Sequence, residues 1–251
     1  MAQKSRLLRI SSRDKSIQSI SKYDMMFTTN DSDLSQATRV SLKSAIVPNT
    51  QYNVNNNNNT FVHDYDGVST STIIPVGQYT IETLKESLNS LTNLVFTQNT
   101  LTGRIRVTIS QADIDAGKNF SLYSLESQTS ANPMATVLGI DKDYLLQTDV
   151  LVDALPDLVG LKHIYVSSNA LSNNVSLIEN NKKRINIFCD IPITVDFGKF
   201  QIEDNDANTL DYTDFHSRKN ISTIDIKLMN ELNETLDLNG LDWVLVFRVY
   251  F

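Results

Sequence analysis

LDWVLVFRVYF, residues 241–251, has the two-residue period of a β-strand and is apolar on both of its faces. Trp243, Leu245, Phe247, Val249 and Phe251 share one face; Val244, Val246 and Tyr250 share the other. Side chains alternate across a strand, so a segment of this kind needs cover on both sides. One side belongs to a core. The other belongs to an insertion or to another subunit. The subunit is the preferred reading, and it makes Val244, Val246 and Tyr250 candidate subunit-interface residues.

Working back from this strand, most of the chain reads the same way. Thr38 to Val47 alternates, with Val40, Leu42 and Ile46 on one side, and Pro48-Asn49 ends it. Five asparagines, Asn55–Asn59, then lead to strands at Thr60–Tyr65 and Ser69–Pro75. Bounded by strands, the run reads as an ordered or semi-ordered turning loop, because asparagine tolerates left-handed backbone and bonds to its own main chain. One convincing helix follows. Thr80 is its N-cap, Thr83 falls short of the usual capping box, and Ile81, Leu84, Leu88 and Leu91 form the apolar face. A hairpin over 94–110, a strand at Phe120–Tyr123 and a helical turn over 132–140 come next. Strands over 161–168, 184–193 and 221–228 precede the last one. About nine or ten strands with one helix predict an all-β protein, a two-sheet sandwich. The long connections, with 203–220 read as a loop, favour a single jelly roll with one short helix-containing insertion. Residues 1–35 read as a basic N-terminal arm and 36–251 as a single jelly-roll domain. The helix-plus-hairpin segment 79–140 is the candidate insertion.

The chain has 251 residues, 41% hydrophobic and 20% charged, which is ordinary globular composition. No apolar run is long enough for a membrane-spanning helix. The N-terminus lacks the apolar core of a secretory signal, and a single cysteine, Cys189, permits no intramolecular disulfide. Synthesis inside a cell is the expectation. The net charge of −7 is uneven. Lys4, Arg6, Arg9, Arg13, Lys15 and Lys22 stand against Asp14 alone in the first 22 residues, so the remainder is strongly acidic. An acidic body is not a nucleic-acid-binding domain, but a basic arm on it can reach phosphate or an acidic neighbour.

Chemistry is hard to find. His63, His163 and His216 are isolated, Cys189 sits in an apolar strand, and no nucleotide-binding or nucleophile motif occurs. Asp204-Asn205-Asp206-Ala207-Asn208 opens like a calcium loop, but Thr209 replaces the required glycine and Phe215 the closing glutamate. Asp204, Asp206, Asp211 and Asp214 are left as a solvated acidic loop or an irregular cation site. No cofactor and no catalytic residue is expected.

Several stretches taken in order do carry a resemblance: VSLKSAIVPNTQYNVN, IPVGQYTIETLKESLN, VLGI, PDLVGLKHIYVSSNAL and the final LDWVLVFRVYF. The set resembles the penton, or minor capsid, proteins of virophages and polinton-like viruses, the mavirus and Sputnik group, over most of 38–251. The resemblance implies a single jelly roll that plugs icosahedral vertices as a homopentamer, among trimers of a double-jelly-roll major capsid protein. It implies a place in the virion and no catalysis. The resemblance leaves the N-terminal segment open; its charge alone makes Lys4, Arg6, Arg9, Arg13 and Lys15 a candidate capsid-interior arm, pointing to the major capsid protein or genomic DNA. Deleting residues 1–22 is then expected to impair assembly and leave the sandwich folded. The alternatives are a receptor- or carbohydrate-binding jelly roll of a spike or fibre, and an internal cement protein.

Overall fold

In the computed structural model the described residues are 4–14, 18–28, 34–172, 176–177, 184–205, 212–231 and 233–251; of 176–177 and 184–185 only the backbone is described. They form two compact units, one made of residues 1–51 and 161–251 and the other of residues 52–160.

The first unit begins with β1 (Ser5–Ser11), β2 (Asp24–Thr28) and β3 (Ala37–Pro48). The chain then builds the second unit. This contains β4 (Thr60–Tyr65), β5 (Val68–Ile73), α1 (Ile81–Leu91), β6 (Val95–Gln98), β7 (Ile105–Thr108), α2 (Gln111–Asp115), β8 (Phe120–Leu122), α3 (Ala135–Leu138), β9 (Tyr144–Gln147) and β10 (Asp149–Leu151). It returns with β11 (His163–Ser167), β12 (Ser176–Leu177), β13 (Arg184–Ile185), β14 (Ile187–Pro192), β15 (Phe200–Asp204), β16 (Tyr212–Lys219), β17 (Thr223–Met229) and β18 (Val244–Tyr250).

Two sheets make up the first unit besides the small β12–β13 ladder. Sheet I has the order β1-β18-β3-β15, with β16 continuing beside β3 where β15 leaves it; sheet II has the order β14-β11-β17-β2. Count β1, β2, β3, β11, β14, β15, β17 and β18 as first to eighth. Sheet I is then first-eighth-third-sixth and sheet II fifth-fourth-seventh-second, all antiparallel. That is the double Greek key of a jelly roll. Inward residues of both sheets form one core. Val40, Leu42, Leu245, Phe247 and Val249 come from sheet I, and Ile164, Val166, Ile224, Ile226 and Leu228 from sheet II. Phe188 and Phe247 meet edge to face across it, with ring centres 5.5 Å apart.

The structure corrects two boundaries. The described residues of 1–35 do not form an arm. Strand β1 lies along β18 from Ser5↔Tyr250 to Ser11↔Val244, and β2 lies along β17. Ile10, Met25 and Phe27 are buried in the core. Deleting residues 1–22 therefore removes the first strand of the jelly roll and is expected to disrupt the sandwich. The jelly roll is also not continuous over 36–251, since the interrupting unit spans 52–160, wider than 79–140. Strands β15 and β16 further occupy much of what reads in sequence as a loop over 203–220.

Within the second unit, one sheet has the order β5-β4-β8-β9 and another β10-β7-β6. Their core includes Phe61, Leu84, Leu88, Phe96, Ile105 and Phe120. Helix α1 starts at Thr80, whose hydroxyl accepts from the Thr83 N–H at 3.3 Å. The Thr83 hydroxyl accepts from the Thr80 N–H at 3.0 Å, so a threonine completes the capping box that glutamate usually fills. Helix α3 ends on Gly139 at φ 76°, where a side chain would strike the Ala154 carbonyl.

The asparagine run is an ordered turn closed by its own side chains. Asn58 Oδ1 accepts from Asn55 N–H at 2.7 Å, Asn55 Oδ1 accepts from Asn57 N–H at 2.9 Å, and Asn59 Nδ2 donates to the Ile74 carbonyl at 3.2 Å. Buried Asn53 anchors it. Its amide accepts from Tyr79 N–H at 2.9 Å and donates to the carbonyls of Tyr79 and Leu158.

These contacts set the expected cost of two substitutions. Ile10→Ala should lower the unfolding free energy by about 2–4 kcal/mol and Leu7→Ala by less than about 0.5 kcal/mol, because only the first leaves a cavity. A urea titration reads both, and a negligible effect of Ile10→Ala would return the segment to the status of an arm. Asn53→Ala should cost about 2–3 kcal/mol by leaving buried amide partners unmatched, whereas exposed Asn56→Ala should be nearly neutral in the same titration.

Candidate functional site

Sheet I positions the residues of interest because its pleat sends alternate side chains to opposite sides. Its inner face is core. On its outer face, Val244, Val246, Arg248 and Tyr250 of β18 stand between Leu7 and Arg9 of β1 and Arg39, Ser41, Ser44 and Ile46 of β3. Beyond β3 come Phe200, Ile202 and Asp204 of β15, then Tyr212 and Asp214 of β16. A bulge between Val246 and Phe247, with Lys43 as the extra residue on β3, keeps this alternation in phase.

The outer face is apolar at its margins. Leu7 is 63% exposed, Ile202 66%, Phe200 49% and Tyr212 44%, while Val244, Val246 and Tyr250 are half-buried by neighbours on the same face. Sequence reasoning found the middle of this surface and missed its margins, since β1, β15 and β16 were not legible as strands. The Phe200-x-Ile202 spacing was the available signal.

Charged groups on the same face are largely committed to one another. The Arg39 guanidinium holds Asp214 through Nε–Oδ1 at 2.5 Å and Nη2–Oδ2 at 3.3 Å, which pushes the arginine pKa up. Its carbon lies 4.3 Å from the Tyr212 ring centre and 5.9 Å from that of Tyr250. Lys43 Nζ lies 2.7 Å from Asp204 Oδ1. Asp204 and Asp214 therefore each face a cation of β3. Residues 206–211 of the calcium-like stretch, with Asp206, Asn208, Thr209 and Asp211, lie outside the described residues, while Asn205 and Phe215 are buried. Among the described residues no group of three or more His, Cys, Asp or Glu is placed to hold a metal ion.

The basic residues of the first segment divide. Lys4, Arg6 and Arg9 are exposed along the β1 segment. Arg13 is engaged, with its Nε 2.7 Å from Asp242 Oδ2. Ser12 Oγ and Lys22 Nζ also donate to Asp242, at 2.8 and 3.1 Å. Arg13 first, then Ser12 and Lys22, hold the Asp242 carboxyl far below the usual carboxylate range. Lys15 lies outside the described residues.

The histidines are not brought together. His163 Nδ1 lies 2.9 Å from Asp190 Oδ2 on the neighbouring strand, and His216 is exposed on β16. His63 is buried in the second unit, stacked on Phe61 at 5.0 Å, and its Nδ1 has no hydrogen-bond partner among the described residues. Burial pushes its pKa down to about 4, against a smaller upward pull from Asp64. Cys189 is buried in β14.

The strand order defines the class of this protein: a single jelly roll interrupted after its third strand by a second compact unit. No family model matches the sequence, and no curated protein matches it. Solved structures do. The selenomethionine-labelled mavirus penton protein has a similar fold, with a TM-score of 0.53 at 10% identity over 98% of this chain and 99% of that one. The cryo-electron microscopy structure of the Sputnik virophage includes a chain matched at a TM-score of 0.46 and 12% identity, over 98% of this chain and 97% of that one. The resemblance drawn from the sequence motifs thus holds at the level of fold.

His63 gives the second unit a pH dependence with a definite sign. The folded unit keeps the imidazole neutral down to about pH 4, whereas the unfolded chain takes up a proton near 6.5. Stability is therefore complete above pH 6.5 and falls as pH drops from there toward 4. Hydrogen exchange of residues 52–160 across that range should show the loss, and His63→Phe should flatten it.

Proposed function

We propose that the protein is a structural subunit of a virus capsid, a penton that fills fivefold vertices as a homopentamer beside a double-jelly-roll major capsid protein. The observation that carries this reading is the full-length likeness to the mavirus penton protein, which covers the inserted unit as well as the jelly roll. The physical chemistry agrees. The outer face of the jelly roll pairs Arg39 with Asp214 and Lys43 with Asp204 and presents apolar side chains beside them, which suits a building block that meets neighbours over a broad surface. Val244, Val246 and Tyr250 are the proposed subunit contacts at the middle of that face. Lys4, Arg6 and Arg9 are the proposed polar contacts to an acidic neighbour, with Arg6 and Arg9 carried on β1 and Lys4 just before it.

Co-expression with a double-jelly-roll major capsid protein tests the reading. Purified shells imaged by cryo-electron microscopy should carry five copies of this chain at each fivefold position. Shells that close without it, or that hold it only beneath the major capsid protein, would overturn the vertex assignment.

A further inference from the structure

Among the described residues sheet I has β1 at one edge, pairing β18 alone, and β15 and β16 at the other, each pairing β3 alone. Their ladders fix which backbone groups point outward. Phe251 N–H bonds Lys4 O at 3.0 Å and Ser12 N–H bonds Trp243 O at 3.1 Å, so the even-numbered residues of β1 face β18. The N–H and C=O groups of Ser5, Leu7 and Arg9 therefore turn to the open side. Asn49 N–H bonds Lys199 O at 2.8 Å and Asn205 N–H bonds Lys43 O at 2.8 Å. The odd-numbered residues of β15 thus face β3, and Phe200, Ile202 and Asp204 turn outward. Each edge offers three outward residues at the same two-residue spacing.

We propose that these edges join between copies, with β1 of one molecule pairing antiparallel with β15 of the next. The inference rests on the homo-oligomeric reading above and adds an edge contact to the outer-face contact of Val244, Val246 and Tyr250 proposed there. Three observations carry it. Strand direction alternates across sheet I, so copies related by rotation about an axis along the strands bring β15 and β1 together antiparallel, and the alternation continues. The edges are opposite in charge, with Arg6 and Arg9 on β1 and Glu203 and Asp204 on β15. Their most exposed apolar residues, Leu7 and Ile202, lie on the same outer face.

One register satisfies all three. Leu7 stands opposite Ile202, Ser5 opposite Asp204 and Arg9 opposite Phe200, each pair exchanging backbone hydrogen bonds. On the other face Arg6 meets Glu203. The contact joins different surfaces of the two partners, so it is heterologous and closes a ring or runs on as a filament; it does not stop at a dimer.

The full-length chain carrying Leu7→Cys and Ile202→Cys, oxidised in solution and in shells co-assembled with the major capsid protein, should give a ladder of covalent multimers on a non-reducing gel. A variant with either substitution alone, whose one other thiol is the buried Cys189, should not. Arg6→Glu should weaken association at least tenfold, and the charge-reversed pair Arg6→Glu/Glu203→Arg should restore it. Leu7→Pro removes an outward N–H that the β1–β18 ladder does not use, so it should block association while the unfolding midpoint stays near wild type. No cross-link in either setting, a product that stops at dimer, or association indifferent to Arg6 and Glu203 would overturn the edge pairing. If the chain occupies vertices without cross-linking, the edge pairing alone falls; if it cross-links into rings yet never enters shells, the capsid reading alone falls.

Discussion

The structure depends on β18 lying between β1 and β3. It is the eighth strand of the jelly roll, and it closes sheet I by pairing with the first strand on one side and the third on the other. Trp243, Leu245, Phe247 and Val249 have no exposed surface. Burial of each contributes roughly 1.5–3 kcal/mol. The indole N–H of Trp243 donates to the Lys22 carbonyl at 2.7 Å, tying the connection after β1 to the strand that covers it. Because Ser5 pairs with Tyr250, nearly the whole sequence is enclosed by one ladder, and such non-local pairing makes for slow folding.

That dependence explains what could be read in the sequence. Strand β18 shows its period plainly because the core selects every second residue, whereas in β3 the bulge at Lys43 shifts the period, so Ile46, read in sequence with Val40 and Leu42, stands on the outer face instead. The Pro48-Asn49 corner and the Thr80 N-cap were equally legible, since each is a local solution to a local backbone problem. Strand β1 was hidden. Ser-Arg-Leu-Leu-Arg-Ile-Ser has charges where a central strand has apolar groups, because an edge strand has to discourage indiscriminate pairing. Strand β16 was hidden for the same reason, with Asp214, His216 and Arg218 along one side. The mistaken arm and the mistaken loop were both edge strands read as solvated chain.

The limits of the inserted unit were hidden by a different cause. Alternation reports that a strand has a buried side and does not report which core receives it. Strand β4 looks in sequence like a continuation of β3, yet it packs Phe61 into a separate core, with the largely exposed β5 paired beside it. The boundary falls beside Asn53, whose amide is engaged by Tyr79 and Leu158 within the second unit. A single asparagine next to a run of five carries no distinguishing mark, so its contacts are what single it out as the anchor.

Of the candidate site, the residue types and shared face of Val244, Val246 and Tyr250 were legible, but not the surface they belong to. That surface emerges only when β1 and β15 are placed on either side of β18 and β3. The arrangement separates two demands on one sheet. Its inner strands hold the fully buried side chains and so carry the stability of the fold. On its outer strands Leu7, Ile202 and the charges stand exposed, where substitution leaves little or no cavity, while Ile10 alone among the apolar residues of β1 is fully committed to the core. A sheet divided in this way can change its lateral contacts without losing its core, and that is the property a repeated building block requires of its edges.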